Sequence, residues 1–233
     1  SFLNSLFIRV YEILVGGNRY KLLLSGLGVT LQVTVFSAFF GVVLGLLLAV
    51  MKLGDKSKGI LRIPYIISSA YIDVIRGTPS VVQLLIIYHI VFGGIKNVPP
   101  VIIAIIAFAI NSSAYVAEIF RGGILAVDIG QTEAGISLGL SKVQTMRYVV
   151  VPQALKNAFP ALANEFIVLM KETAIVGYIA LQDLTKAGDF IISRTYNAFI
   201  PLFTVALVYF VIIKFLTKLF NMFEGRLRKS DIR

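Results

Sequence analysis

LLLSGLGVTLQVTVFSAFFGVVLGLLLAVM, residues 22–51, contains no charged side chain. About 20 apolar residues in a helix rising ~1.5 Å per residue cross the ~30 Å hydrocarbon core of a bilayer. The stretch therefore predicts a membrane-spanning helix. Working outward, the same signal recurs along the chain. A second span is predicted from about 60 to 92, interrupted by Arg76-Gly77-Thr78-Pro79, and a third from 101 to about 120. A fourth begins after Pro152 and reaches about 180, and a fifth covers 198–220. Pro201 falls in the first turn of the fifth, where a missing N–H costs little.

Composition agrees. The chain has 233 residues, of which 58% are hydrophobic and 15% charged, and its mean hydropathy is +0.87. A soluble domain carries about 25% charged residues, so the apolar excess needs lipid as its solvent. The expected fold is all-α integral membrane, with about five transmembrane helices. Absence of cysteine excludes disulfides, thiol catalysis and cysteine metal sites. A single histidine, His89, rules out any multi-histidine metal site, and its place near the outer end of its span reads as interfacial. No catalytic residue and no metal ligand set is expected.

The formal net charge is +10. The basic residues lie between and after the apolar runs, which points to a membrane surface and not to nucleic acid. Lys52, Lys56, Lys58 and Arg62 lie in one connection. Arg121, Lys142, Arg147 and Lys156 lie in another, and Arg226, Arg228, Lys229 and Arg233 in the tail. Five spans put all three segments on one side, facing poorer connections with Lys96 and with Lys186 and Arg194. The positive-inside rule then predicts a cytoplasmic C-terminus and an N-terminus outside. Residues 1–15 lack a basic n-region and a small-residue cleavage site, so they are not read as a signal peptide. Leu3, Leu6, Phe7, Val10 and Leu14 instead predict a helix lying in the interface. The organisation expected is an interfacial segment over 1–20, a transmembrane domain over 21–225 and a basic tail over 226–233.

The connection between the third and fourth spans is too long for a simple turn, yet it reads as helix. Ser141-Lys142-Val143-Gln144 is a capping box, and Gly139 can end a preceding helix in the left-handed conformation. Two short helices, 132–138 and 142–149, are predicted around a glycine-containing break. Ile136, Leu140, Val143 and Met146 form an apolar stripe at helical spacing.

Glu133-Ala134-Gly135, Gly139 and Val149-Val150-Val151-Pro152 resemble the EAA loop of permeases in binding-protein-dependent ABC importers. That pattern is Glu-Ala-Ala, then Gly, then an aliphatic pair and Pro, and the spacing matches throughout. Gly135 replaces the third Ala, and Val151 the usual Leu before Pro. Arg76-Gly77-Thr78-Pro79, the run Ala117 to Ile124, Pro152-Gln153-Ala154-Leu155 and Asn164-Glu165-Phe166 resemble the polar amino-acid class. The resemblance covers most of the chain, from about 22 to 224.

The resemblance implies the type I ABC importer permease fold in a bacterial cytoplasmic membrane. The loop, over 128–152, would insert as a coupling helix into a cleft of a cytoplasmic ABC ATPase subunit. Glu133, Ala134, Gly135, Leu138, Gly139 and Leu140 are its candidate contacts. A short amphipathic helix can bury its stripe in such a groove; the competing reading is a helix pair packed on its own bundle. No G-x-x-x-x-G-K-[ST] sequence occurs, so no cofactor is expected on this chain, and ATP and magnesium would be bound by the ATPase. Further implied partners are a second permease subunit, in a homodimer or heterodimer, and an extracytoplasmic amino-acid-binding protein docking near 181–197.

Charges at membrane depth are costly, so each raises a functional question. A free amino acid presents a carboxylate and an ammonium. Arg76 or Lys171 can take the first, and Asp73 or Glu165 the second. Thr78 lies at the break, where a freed helix N-terminus favours anions. Asn111, Ser112 and Thr173 complete the candidate substrate-binding set. The competing reading pairs Asp73 with Arg76, and Lys171 with Glu172 or Glu165, as internal neutralisation. Four acidic span residues (Asp73, Glu118, Glu165, Glu172) against two basic ones well inside favour a basic amino acid: arginine, lysine or histidine, with glutamine also compatible.

Two other classes fit the sequence less well. A proton-coupled secondary transporter would use Glu118, Glu165 or Asp73 as a relay, but no inverted repeat is evident. A membrane enzyme would have to use Ser112 or Ser113 near Glu118, and polar packing explains those residues better.

Overall fold

The computed structural model describes residues 2–53 and 62–229. Lys56, Lys58 and Arg233 lie outside the described residues, so the basic loop and tail are described only in part. Among the described residues the chain is helical throughout: α1 (Phe2–Leu14), α2 (Tyr20–Lys52), α3 (Arg62–Arg76), α4 (Ser80–Ile86), α5 (Pro100–Leu125), α6 (Ile129–Ser137), α7 (Lys142–Thr145), α8 (Val151–Glu172), α9 (Leu184–Thr195) and α10 (Phe199–Lys229). Wider π turns follow α4 (Ile87–Val91) and α7 (Met146–Val150), and a 3₁₀ segment (Thr173–Ile179) follows α8.

Among the described residues α2, α5 and α10 are each long and apolar enough to cross a membrane, and α3 and α4 pass the same test only as a pair bent sharply at a short break, the form of a broken span or a re-entrant loop. The break falls at Gly77-Thr78-Pro79, where the sequence places it. The predicted fourth span coincides with α8 and its 3₁₀ extension, a helix that carries Lys156, Glu165, Lys171 and Glu172 and is not among those apolar enough to cross a membrane by length and composition. With 33 residues, α2 is ~50 Å long, well over the ~30 Å hydrocarbon thickness. The last helix, α10, runs on to Lys229, so part of the basic tail is a continuation of the final span.

The chain divides into two compact units. The first comprises Ser1–Ser37, Ser80–Phe108 and Val168–Phe215. Its core is Leu23, Leu184, Ala187, Ile191 and Val205, with Ile13 and Leu14 of α1 packed against it. Here lies an element the hydropathy reading missed: α9 occupies most of the predicted outer loop. Leu184, Ala187, Gly188 and Ile191 give it a buried stripe at i, i+3, i+4 and i+7. Asp183 caps it, accepting from the backbone N–H groups of Thr185 (3.1 Å) and Lys186 (2.9 Å). The Thr30 hydroxyl of α2 accepts from Leu184 N (3.1 Å). A Cβ on Gly26 would lie 2.5 Å from the Asp183 carbonyl oxygen, so glycine is what allows α2 to approach this cap.

The second unit comprises Ala38–Pro79, Ala109–Ile167 and Leu216–Arg233. Its core is built largely from small side chains: Ala49, Ala114, Ala117 and Ala158, with Ile72, Val116 and Phe120. Small residues let helix backbones approach closely where lipid supplies no hydrophobic drive. The Tyr71 hydroxyl ties α3 to α5, at 2.8 Å from both the Ile110 carbonyl oxygen and the Ser113 hydroxyl.

Candidate functional site

The hairpin between α5 and α8 is defined by local capping. Asp128 caps α6 by accepting from Gly130 N at 2.7 Å. The other end of α6 closes as a Schellman motif: Gly139 N donates to the Ile136 carbonyl (2.9 Å) and Leu140 N to the Gly135 carbonyl (3.1 Å). Gly139 has φ +84° and open space around a notional Cβ. Glycine is therefore required here by the left-handed backbone and not by a close neighbour within the chain. The predicted capping box is present: Gln144 N donates to the Ser141 hydroxyl (3.3 Å), and Ser141 N to the Gln144 side-chain oxygen (2.8 Å). The second short helix then passes through the π turn directly into α8.

This capping leaves an apolar face uncovered. Leu138 is 83% exposed, Val143 and Ile129 each 76%, and Glu133 and Ala134 are also exposed. Of the candidate contacts, Gly135 alone is buried, and Leu140 is half-buried. A Cβ on Gly135 would sit 2.6 Å from Thr145 Cγ2. Thr145 is 1% exposed, and its hydroxyl has no hydrogen-bond partner. We expect Gly135→Ala to loosen the hairpin by about 1–3 kcal/mol through overpacking. Faster amide exchange over 129–150 would report it, and adding Thr145→Ala, which removes Cγ2 and the unsatisfied hydroxyl, should restore protection. Unchanged exchange in the single variant would contradict the contact.

The candidate substrate residues divide between the units. Within the second, the Ser112 hydroxyl donates to Glu165 Oε1 at 3.0 Å, joining α5 to α8. Asn111 (4% exposed) and Ser112 (1%) are buried. Asp73, Arg76 and Thr78 are exposed, and the Thr78 hydroxyl donates to the Val74 carbonyl (2.9 Å). Arg76 does not pair with Asp73: its guanidinium lies over the Tyr115 ring, 5.4 Å from the centroid. Lys171 and Thr173 belong to the first unit. Lys171 is exposed, and the buried Thr173 hydroxyl donates to the Met170 carbonyl (2.8 Å) and meets Thr34 at 3.4 Å. His89 is exposed with its ring edge-on to Tyr88.

One cluster escaped the sequence reading. Glu118 accepts from Lys52 (2.7 Å) on one oxygen and from Arg121 Nε and Nη2 (3.0 and 2.7 Å) on the other. The i,i+3 spacing of Glu118 and Arg121 was a usable signal; the Lys52 partner, 66 residues away, had none. Among the described residues no group of three His, Asp or Glu side chains can hold a metal ion.

Comparison with characterised proteins gives this arrangement a context. The profile of the family described as binding-protein-dependent transport system inner membrane component matches residues 41–229. The chain is 38% identical to the arginine transport system permease protein ArtQ of Bacillus subtilis over 214 residues, covering 90% of this chain and 94% of that one. It is 35% identical to the glutamine transport system permease protein GlnP of Escherichia coli K12 over 210 residues, covering 89% and 93%. A crystal structure of an amino acid ABC transporter with histidines matches with TM-score 0.83 and 46% identity, over 92% of this chain and 98% of that one. The inward-facing MetNI methionine ABC transporter shares the fold, with TM-score 0.74, at 22% identity over 89% and 97%. Matched over most of its length, with the capped hairpin inside the matched region, the chain belongs to the family of inner-membrane components of binding-protein-dependent ABC transport systems and has the type I importer permease fold.

Proposed function

We propose that the chain is the membrane-spanning subunit of an ATP-driven importer for a polar amino acid, with basic side chains (arginine, lysine, histidine) preferred and glutamine compatible. The observation that carries this is the hairpin: capped at both ends, lying between α5 and α8, and presenting Leu138 and Val143 outward within a chain whose relatives are named as arginine and glutamine permeases. It acts as the coupling element, with Glu133, Ala134, Gly135, Leu138, Gly139 and Leu140 meeting ABC ATPase subunits that bind ATP and magnesium. A second permease subunit completes the pathway, and an extracytoplasmic binding protein delivers substrate. The hairpin and the C-terminus face the cytoplasm. ATP binding draws two hairpins together, and the permease alternates between outward and inward states.

In this proposal Glu165 and Asp73 take ammonium groups and Arg76 the carboxylate, and Asn111, Ser112, Thr78, Lys171 and Thr173 are further candidates for substrate contact. The burial of Asn111 and Ser112 means that helices must part before substrate reaches them. The test is ATP hydrolysis by the permease purified with its ATPase and binding protein, measured across amino acids. Basic amino acids should stimulate most. Glu165→Ala should raise half-saturation about 10- to 100-fold, the worth of a charged hydrogen bond, with ATPase co-purification intact. Uptake by the permease alone under a pH gradient would overturn the reading in favour of a proton-coupled transporter.

A further inference from the structure

The second unit holds a feature that the transport reading does not use. An open, apolar groove of about 360 Å³ runs along it, walled by Val50 and Leu53 of α2, Phe120 and Ile124 of α5, and Val151 and Leu155 of α8. Val50 (69% exposed), Leu53 (41%) and Leu155 (47%) stand open to the surroundings. Ordered water needs two or more polar partners, and these walls offer none. They suit a hydrocarbon chain.

The rim is basic. Lys52 lies between two wall residues, and Arg121 shares a helix face with Ile124 at i,i+3. Their cluster with Glu118 carries two cations and one carboxylate, a net charge of +1. On α8, Val151 and Leu155 are one turn apart, and Arg147 lies in the π turn that leads into α8, next in sequence to Met146, which also lines the groove. Arg147 is exposed and stacks on the Tyr148 ring at 5.5 Å, and no ion pair neutralises it among the described residues. A single occupant matches an apolar slot that ends at surplus positive charge: an amphiphile with a hydrocarbon tail and a negative head.

We infer that this groove binds an anionic phospholipid, with one acyl chain between α2, α5 and α8 and the phosphate at Arg147 and the Lys52–Glu118–Arg121 cluster. The inference rests on the proposed position of the hairpin at the cytoplasmic membrane surface. Lipid tails are as apolar as the groove walls, so the tail supplies fit and the charge supplies selection. Anionic lipid is thereby drawn to the point where the hairpin joins the spans.

The chain contains no tryptophan and no cysteine, which makes a direct test possible. Leu155→Trp, and independently Val50→Trp, place one fluorophore in the groove; Leu207→Trp places one on the exposed face of α10. Each full-length variant is reconstituted in phosphatidylcholine nanodiscs and titrated with acyl-brominated phosphatidylglycerol or acyl-brominated phosphatidylcholine. Both groove reporters should be quenched at about fivefold lower mole fraction of the anionic lipid, the worth of one basic residue near a charged headgroup. Arg147→Gln should remove most of that preference, and Leu207→Trp should show none. Equal quenching by the two lipids, the same preference at Leu207→Trp, or no quenching in the groove (a protein segment filling it) would each overturn the assignment. Separately, Ser141→Cys labelled with an impermeant maleimide in oriented vesicles reports the side on which the hairpin lies. Labelling from the outside with the lipid preference intact would overturn the orientation and leave the lipid site standing.

Discussion

Leu138→Asp is expected to abolish ATP-driven uptake while leaving a folded permease in the membrane. Leu138 is 83% exposed at the C-cap of α6, so no contact within the chain is lost by the change. In the proposed function it is an anchor against the ATPase. Anchors at the centre of an interface cost ~2 kcal/mol or more on truncation, about 30-fold in affinity. A carboxylate adds the cost of desolvating a charge without a partner. The ATPase should therefore fail to co-purify, uptake in proteoliposomes should fall to background, and the thermal transition of the permease alone should stay within about a degree of the parent, as surface substitutions do. Val143→Asp, 76% exposed one helix away, should behave alike. Stable assembly and full uptake in both variants would return the hairpin to the competing reading, in which it packs on its own bundle.

The second large effect is structural. Glu118→Ala removes the carboxylate that neutralises Lys52 and Arg121 and leaves two cations facing each other at the end of α5. Breaking one side of a buried ion pair costs ~3–5 kcal/mol. Lys52 and Glu118 are 15% and 16% exposed and Arg121 37%, which places the expectation near ~3 kcal/mol, the low end of that range. For a chain of this size the midpoint of thermal unfolding should fall by about 6–12 °C. Lys52→Met alone should cost much less, because Glu118 keeps both hydrogen bonds from Arg121. Adding Lys52→Met to Glu118→Ala should recover part of the loss, since one unpaired charge disappears. Equal melting of Glu118→Ala and the parent would mean that water already screens the cluster.

The features legible in the sequence were those with a local cause. Ser141 and Gln144 are three residues apart, and their capping box needs nothing beyond the helix they open. Gly139 followed from the same local logic: the left-handed conformation read from the sequence is present as a φ of +84°. The break at Gly77-Thr78-Pro79 was readable because proline and glycine punctuate a helix whatever surrounds them. The pairings were not readable. Arg76 and Asp73 have the spacing of an ion pair, yet the Tyr115 ring of another helix takes the guanidinium. Ser112 and Glu165 are 53 residues apart, and periodicity holds no information at that range. The helix α9 was hidden for a different reason. It is too short and too polar for a span test, and its signal was Asp183 acting as an N-cap before Leu184, Ala187 and Ile191.

The contact between Gly135 and Thr145 has a consequence on an evolutionary scale. The family pattern that this loop resembles carries alanine at position 135, and a methyl group there collides with the threonine at 145. The two sites are thus epistatic. Alanine at 135 together with threonine at 145 is disfavoured by that contact. Once threonine is in place, reversion at 135 alone carries the overpacking cost of about 1–3 kcal/mol. Relatives with alanine at 135 should accordingly carry a residue smaller than threonine at 145, a covariation that arises from packing inside the hairpin and owes nothing to the partner it meets.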